Sequence, residues 1–271
     1  MAQDTVFAAE LPWPEYQRRT RGGRAPILIP FGSMEQHGHH MPMHVDVLLP
    51  TEFARRVAQE VGGLVAPPFT YGYKSQQKSG GGNFFPGTTS LDGMSLVHAL
   101  RDVVREFVHQ GNRQICIVNG HFENAWFIAE GVDLALRELG WSGIHDTKVV
   151  VLSYWDFVDE AAIAQLYPDG FLGWDIEHGG VLETSLMLRL HPDLVFLETS
   201  IRRIRTGPPR AARCPHQGKP PRKRATSCSM SARVGSSTPY ATNSRSATGS
   251  RPSEPIRTKT QYRTPTRETP E

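Results

Sequence analysis

Four short apolar runs, at residues 27–31, 64–67, 115–118 and 149–152, alternate along the chain with segments whose apolar residues recur at helical spacing. The runs are too short for helices and rich in branched side chains, so they read as buried strands. Between them, Phe53, Val57 and Val61 form a helical stripe with Ala54 and Ala58 beside it. Val97, Leu100, Val104, Phe107 and Val108 form a second stripe, with Ser90 and Asp92 as candidate caps and Gly111 as its end. Ile128, Val132, Ala135 and Leu139 form a third, which stops at Gly140, and residues 182–190 form a fourth helix closed by Pro192. Strands joined through helices in this way require right-handed crossovers and a sheet covered on both faces. The expected fold class is α/β, with three α/β/α layers around a mainly parallel sheet.

At 271 residues the chain can bury a sizeable core. Its net charge of +3 conceals two parts of opposite sign: residues 1–199 carry 14 Lys and Arg against 24 Asp and Glu, and residues 200–271 carry 16 against 3. From about Leu197 the sequence turns to Arg, Ser, Thr and Pro with few aliphatic residues and neither period, the composition of a disordered tail. The domain is therefore expected over residues 1–196 and the tail over 197–271, and the abrupt change near Phe196 is what translation out of frame would produce. The tail lacks aromatic interleaving and a basic helical face, so nucleic acid is not an expected partner. No apolar run is long enough to span a membrane and the N-terminus has no basic n-region, so a cytoplasmic location without membrane contact is expected. Cys116, Cys214 and Cys228 show no zinc-pair spacing.

The chemistry concentrates just after two of the strands. Residues 34–46 read MEQHGHHMPMHVD, and residues 119–123, after the run ending at Val118, read NGHFE. Ligands in open α/β sheets bind beyond the carboxyl ends of the strands, where both stretches lie. Glu35 and His37 are two apart, as are His121 and Glu123, a spacing that puts both side chains on one face of an extended segment. With Asp46 they make three carboxylates and two imidazoles, the ligand set expected for two divalent metals. Such a pair lowers the pKa of a shared water and polarises a carbonyl, which suits amide hydrolysis by a bridging hydroxide. His39, His40 and His44 are read as outlying or surface residues.

Between the halves lies SQQKSGGGN, residues 75–83, where three glycines allow close backbone approach or a hinge. No Walker-type ending follows, so a phosphate cradle is not expected. A third stretch, GWDIEHGG at residues 173–180, precedes Glu183. His178 and Glu183 could serve as a proton-transfer group and its orienting partner, and Trp155 and Trp174 could wall a pocket for a small planar molecule.

The segments EQHGHH with Asp46 downstream, YGYKSQQKSGGGN, FPGTTSLDG, NGHFEN, VVVLSYWDF and GFLGWDIEHGG resemble the creatininase family, over about residues 6–195. The resemblance implies a cytoplasmic homohexamer of α/β/α subunits that interconverts creatinine and creatine. It implies that Glu35, Asp46 and His121 hold an exchangeable ion, often Mn²⁺, and that His37, Asp46 and Glu123 hold Zn²⁺, with Asp46 shared. It implies substrate contacts at Ser79, Phe122, Trp155, Trp174, Asp175 and His178, with His178 and Glu123 as the catalytic groups. Phe122 departs from the family pattern, which has Tyr there, so one polar contact to substrate is lost or supplied by another group. The tail does not resemble the family's C-terminal region.

Overall fold

Strand β1 (Ile27–Phe31) is buried along its whole length, as an unbroken apolar run requires in a sheet covered on both faces. The structure is a computed structural model that describes residues 4–199 and 260–263. β1 pairs in parallel with β2 (Leu64–Val65) on one side and β3 (Gln114–Asn119) on the other, and β3 pairs in parallel with β4 (Lys148–Ser153). β5 (Thr260–Arg263) pairs antiparallel with β4, giving the order β2-β1-β3-β4-β5. Helix α1 (Trp13–Thr20) precedes β1, α2 (Val45–Val61) leads to β2, α3 (Gly93–His109) to β3 and α4 (Ala125–Trp141) to β4; α5 (Glu160–Leu166) and α6 (Val181–Leu190) follow.

Alternation along the strands assigns the layers. Ile27, Ile29 and Phe31, with Ile115, Ile117 and Val149, pack against Leu96, Leu100 and Val104 of α3 and Ile128, Val132 and Leu139 of α4. On the opposite face Leu28, Val65 and Val118 pack against Ala54 and Ala58 of α2. A third cluster joins Val45 and Leu49 of α2 to Leu182 and Met187 of α6 and to Tyr154 and Trp155 after β4. Each fully buried aliphatic side chain contributes about 1.5–3 kcal/mol, and the arrangement is a three-layer α/β/α fold.

The structure departs from the sequence reading in several places. α2 buries Leu49, Ala54 and Ala58 and leaves Val57 and Val61 exposed, because the small alanines let the helix lie close on the sheet. It also begins four residues before the expected residue 49, and Pro50, its sixth residue, lacks the N–H that would otherwise donate to the Asp46 carbonyl. Asp92 stands at the N-cap of α3 without capping it and pairs with Lys74 instead. β2 is two residues long, and α1 and α5 were not read from the sequence. Within the expected tail, Thr260–Arg263 form β5, a segment whose Thr and Tyr favour extended backbone and whose partner is the edge of β4. The remainder of the tail, residues 200–259 and 264–271, lies outside the described residues.

From β1 the chain goes to one side of the sheet for β2 and then crosses to the other side for β3, so the strand order reverses beside β1. A reversal of this kind opens a crevice at the carboxyl ends of the neighbouring strands. The first turn of α2 closes down on those ends. A Cβ on Gly32, after β1, would lie 2.4 Å from the Asp46 carbonyl oxygen, and one on Gly120, after β3, would lie 2.3 Å from the same atom. Both glycines are therefore required by packing. Gly120→Ala is expected to lower stability by about 1–3 kcal/mol through overpacking, seen as a lower denaturation midpoint in urea with an unchanged slope.

Candidate metal centre

The ligand-type residues that the sequence placed after β1 and β3 converge in this crevice. Glu35, His37, Asp46 and His121 are each almost wholly buried, which such groups tolerate only when paired or ligating. Glu35 Oε1 lies 2.8 Å from His121 Nδ1, and Asp46 Oδ2 lies 3.1 Å from the same nitrogen. Asp46 Oδ1 lies 2.8 Å from His37 Nε2, and Glu183 Oε2 lies 3.7 Å from it. Asp46, at the first turn of α2 where the helix dipole favours an anion, thus stands between the two imidazoles.

Each imidazole is oriented from behind by a backbone carbonyl. His37 Nδ1 lies 3.1 Å from the Glu35 carbonyl oxygen, and His121 Nε2 lies 3.0 Å from that of Tyr73. A ring N–H donating there leaves the opposite nitrogen free to face the carboxylates, the arrangement that prepares a histidine to bind metal. Asn124, buried after β3, holds the neighbouring loops: it donates to the Gly32 carbonyl oxygen at 3.0 Å and accepts from the Tyr73 N–H at 2.8 Å.

Burial alone would lower the pKa of His37, but Asp46 and Glu183 outweigh it and raise the imidazole well above its ordinary value. Burial would likewise lower His121, and Glu35 and Asp46 raise it. Asp46 is the mirror case: burial would raise its carboxyl, and the two histidines hold it well below the carboxylate range. The carboxylates therefore create a place that favours positive charge.

Three groups of side chains among the described residues each bring their ligand atoms within 4.8 Å of one another: Glu35, Asp46 and His121; His37, Asp46 and Glu183; and Glu35, His37 and His178. Glu35 Oε2 is buried without a hydrogen-bond donor, and Asp46 Oδ2 has beside it the His121 Nδ1 at 3.1 Å. Oxygen and imidazole donors converging in this way, with carboxylate lone pairs unused, fit divalent cations.

Glu183, which the sequence reading paired with His178, groups with His37 and Asp46. It begins five residues after His178 in the chain, and the start of α6 brings it to His37, while Tyr154 Oη donates to its Oε1 at 3.2 Å and the Gly179 N–H to its Oε2 at 2.6 Å. Glu123 sits on the other side of His121, with Oε2 3.4 Å from Nε2 and Oε1 accepting from the Gln76 N–H at 3.2 Å. Burial raises its pKa. Among the described residues His39, His40 and His44 join none of the three groups; His40 Nε2 lies 2.9 Å from Thr184 Oγ1.

One cleft of about 420 Å³, its open mouth included, is lined by Glu35, Asp46, His121, Glu123 and Glu183 and by all six residues expected to contact substrate: Ser79, Phe122, Trp155, Trp174, Asp175 and His178. The Trp155 and Trp174 rings lie 6.4 Å apart between centroids and 28° from parallel, a flat apolar wall. Lys78 of the glycine loop reaches Asp175 at 2.7 Å, tying that loop to the tryptophan segment. His178 Nδ1 lies 3.6 Å from Glu35 Oε1. Phe122 turns its ring edge-on to Trp126 and offers the cleft no hydrogen-bonding group. Sequence reasoning missed Glu177, whose carboxylate accepts from Tyr167 Oη at 3.0 Å and from the Leu182 N–H at 3.1 Å. Burial, and then Glu183 beside it, push Glu177 up to about 7.

The family model described as creatininase, creatinine amidohydrolase, matches residues 9–249, and so runs past the boundary expected at residue 196. The creatinine amidohydrolase of Pseudomonas putida is 63% identical over 195 residues, which are 72% of this chain and 75% of that protein. A solved creatininase described as an Mn form superposes with a TM-score of 0.69 at 62% identity, covering 72% of this chain and 76% of its own. A mutant creatininase complexed with creatine superposes with a TM-score of 0.70 at 62% identity over the same shares. The chain belongs to the creatininase family.

Proposed function

We propose that this chain is a metal-dependent cyclic amidohydrolase that converts creatinine reversibly to creatine. The observation that carries the proposal is the pair of ligand groups sharing Asp46 at the floor of a cleft walled by Trp155 and Trp174. The 63% identity to a creatinine amidohydrolase supports the choice of substrate. We assign the activity to residues 1–196, which hold every proposed site residue. From the resemblance alone we further propose a homohexamer in the cytoplasm, for which the exposed apolar side chains Met94, Trp126 and Trp141 offer contact surface.

Glu35, Asp46 and His121 would hold one ion, and His37, Asp46 and Glu183 the other, with Mn²⁺ and Zn²⁺ as the candidates. Glu183 is preferred to Glu123 for the second position because it is the carboxylate near His37 Nε2. When bound, the ions would supply an acidified water and polarise the substrate carbonyl. The chain's own groups do the rest. Trp155 and Trp174 receive the flat ring, with Ser79 and Asp175 at the rim. Glu123, whose pKa burial raises, takes the proton that leaves the attacking water. His178 delivers a proton to the ring nitrogen as the amide C–N bond breaks, so that water is added across that bond and the ring opens. Phe122 lacks the hydroxyl of the family's Tyr, a loss of roughly 0.5–1.5 kcal/mol in substrate contact.

Three measurements test this reading. Purified protein should hydrolyse creatinine, lose that activity on exhaustive chelation and regain it on adding Mn²⁺ or Zn²⁺; no turnover in any metal state would overturn the assignment. His178→Ala should retain both metals and lose about 10²–10⁴-fold in kcat, and full activity would remove His178 from proton transfer. Because the neighbouring carboxylates raise the pKa values of His37 and His121 above the ordinary imidazole value, a metal that binds there competes with protons. Titrating the chelated protein with Zn²⁺ in buffers of different ionisation enthalpy should therefore show proton release, with affinity falling as pH falls.

A further inference from the structure

Gln36 lies between two proposed ligands, Glu35 and His37, yet its side chain joins neither ligand group. Its amide spans three segments. Oε1 accepts from the Gly38 N–H at 2.8 Å, and Nε2 donates to the Gly80 carbonyl oxygen at 2.9 Å. A backbone N–H can only donate and a backbone carbonyl can only accept, so the two partners fix which end of the amide is nitrogen. The same Nε2 lies 3.1 Å from Nε2 of His178. An amide NH₂ has no lone pair to offer a ring N–H, so His178 Nε2 must be the acceptor there.

We infer that Gln36 is a positioning residue that sets the tautomer of His178: the neutral ring carries its proton on Nδ1, the nitrogen that faces the carboxylate cluster 3.6 Å from Glu35 Oε1. The assignment of that proton to the ring-opening step rests on the proposed amidohydrolase reading; the tautomer itself does not. Through Gly80 the same amide ties the glycine loop to the histidine. The imidazole is thereby held with its donor turned inward and its acceptor turned toward the loop. A proton delivered from Nδ1 to a leaving nitrogen leaves an imidazole anion unless a proton returns. The proton that Glu123 takes from the attacking water returns to Nδ1 in the same step, so that the ring ends neutral and Nε2 accepts from Gln36 throughout.

The test is a long-range proton–nitrogen correlation spectrum of the Zn²⁺-loaded full chain labelled with nitrogen-15 histidine, with the His178 signals identified by their loss in His178→Ala. The expected pattern is a protonated, pyrrole-type Nδ1 and a pyridine-type Nε2. In Gln36→Glu, whose carboxylate cannot donate, Nε2 should become protonated, and kcat should fall at least about tenfold with KM little changed. A pyrrole-type Nε2 in the unaltered chain, or a ring protonated on both nitrogens, overturns the inference. So does an unchanged His178 pattern in Gln36→Glu; if that variant does not fold, the spectrum of the unaltered chain decides alone. An Nδ1–H tautomer in a protein that does not turn over creatinine would uphold the role of Gln36 and remove the amidohydrolase reading, which keeps the two failures distinct.

Discussion

A single buried carboxylate, that of Asp46, is the charge around which the rest of the structure is arranged. Taking an ion out of water costs several kcal/mol unless partners replace its hydration. Here the partners are His37 Nε2 at 2.8 Å, His121 Nδ1 at 3.1 Å and the N-terminus of α2. Each imposes a condition. The helix must begin at Val45 for its dipole to serve, Gly32 and Gly120 must lack side chains for its first turn to descend, and the backbone carbonyls of Glu35 and Tyr73 must turn the two imidazoles inward. Removing any of these leaves a buried charge with less compensation than it needs.

Much of the fold was legible because strands covered on both faces leave a plain trace: the apolar runs at 27–31, 115–118 and 149–152 lie within the strands Ile27–Phe31, Gln114–Asn119 and Lys148–Ser153. The buried stripes of α3 and α4 were legible for the same reason, since their large side chains recur at helical spacing. α2 misleads because close packing prefers Ala54 and Ala58 to the bulkier Val57 and Val61, and a count of apolar residues rewards size. α1 and α5 are short, and β5 is defined by its pairing with β4, which no local pattern announces.

The candidate site divides in the same way. Glu35 and His37, and His121 and Glu123, stand out because two-residue spacing after a strand is a local signal, and the structure brings Glu35, Asp46 and His121 together in one group and His37 and Asp46 together in another. Glu183 was visible only as a neighbour of His178, because its approach to His37 depends on where α6 begins. Gln36 carried no signal at all. Its partners include backbone groups of Gly38 and Gly80, and a backbone partner leaves no mark in the identity of a residue.

The pairing of β1 with β3 has one more consequence. Parallel neighbours in a sheet lie about 4.8 Å apart, and the stretches that carry Glu35 with His37 and His121 with Glu123 begin a few residues beyond the ends of these two strands, Phe31 and Asn119, which are partners in the register. The separation between the two stretches is therefore inherited from the backbone hydrogen-bond ladder. Side chains tune the site, but its basic length is the repeat distance of the sheet, a ruler that substitution on the surface or change in the tail does not reach.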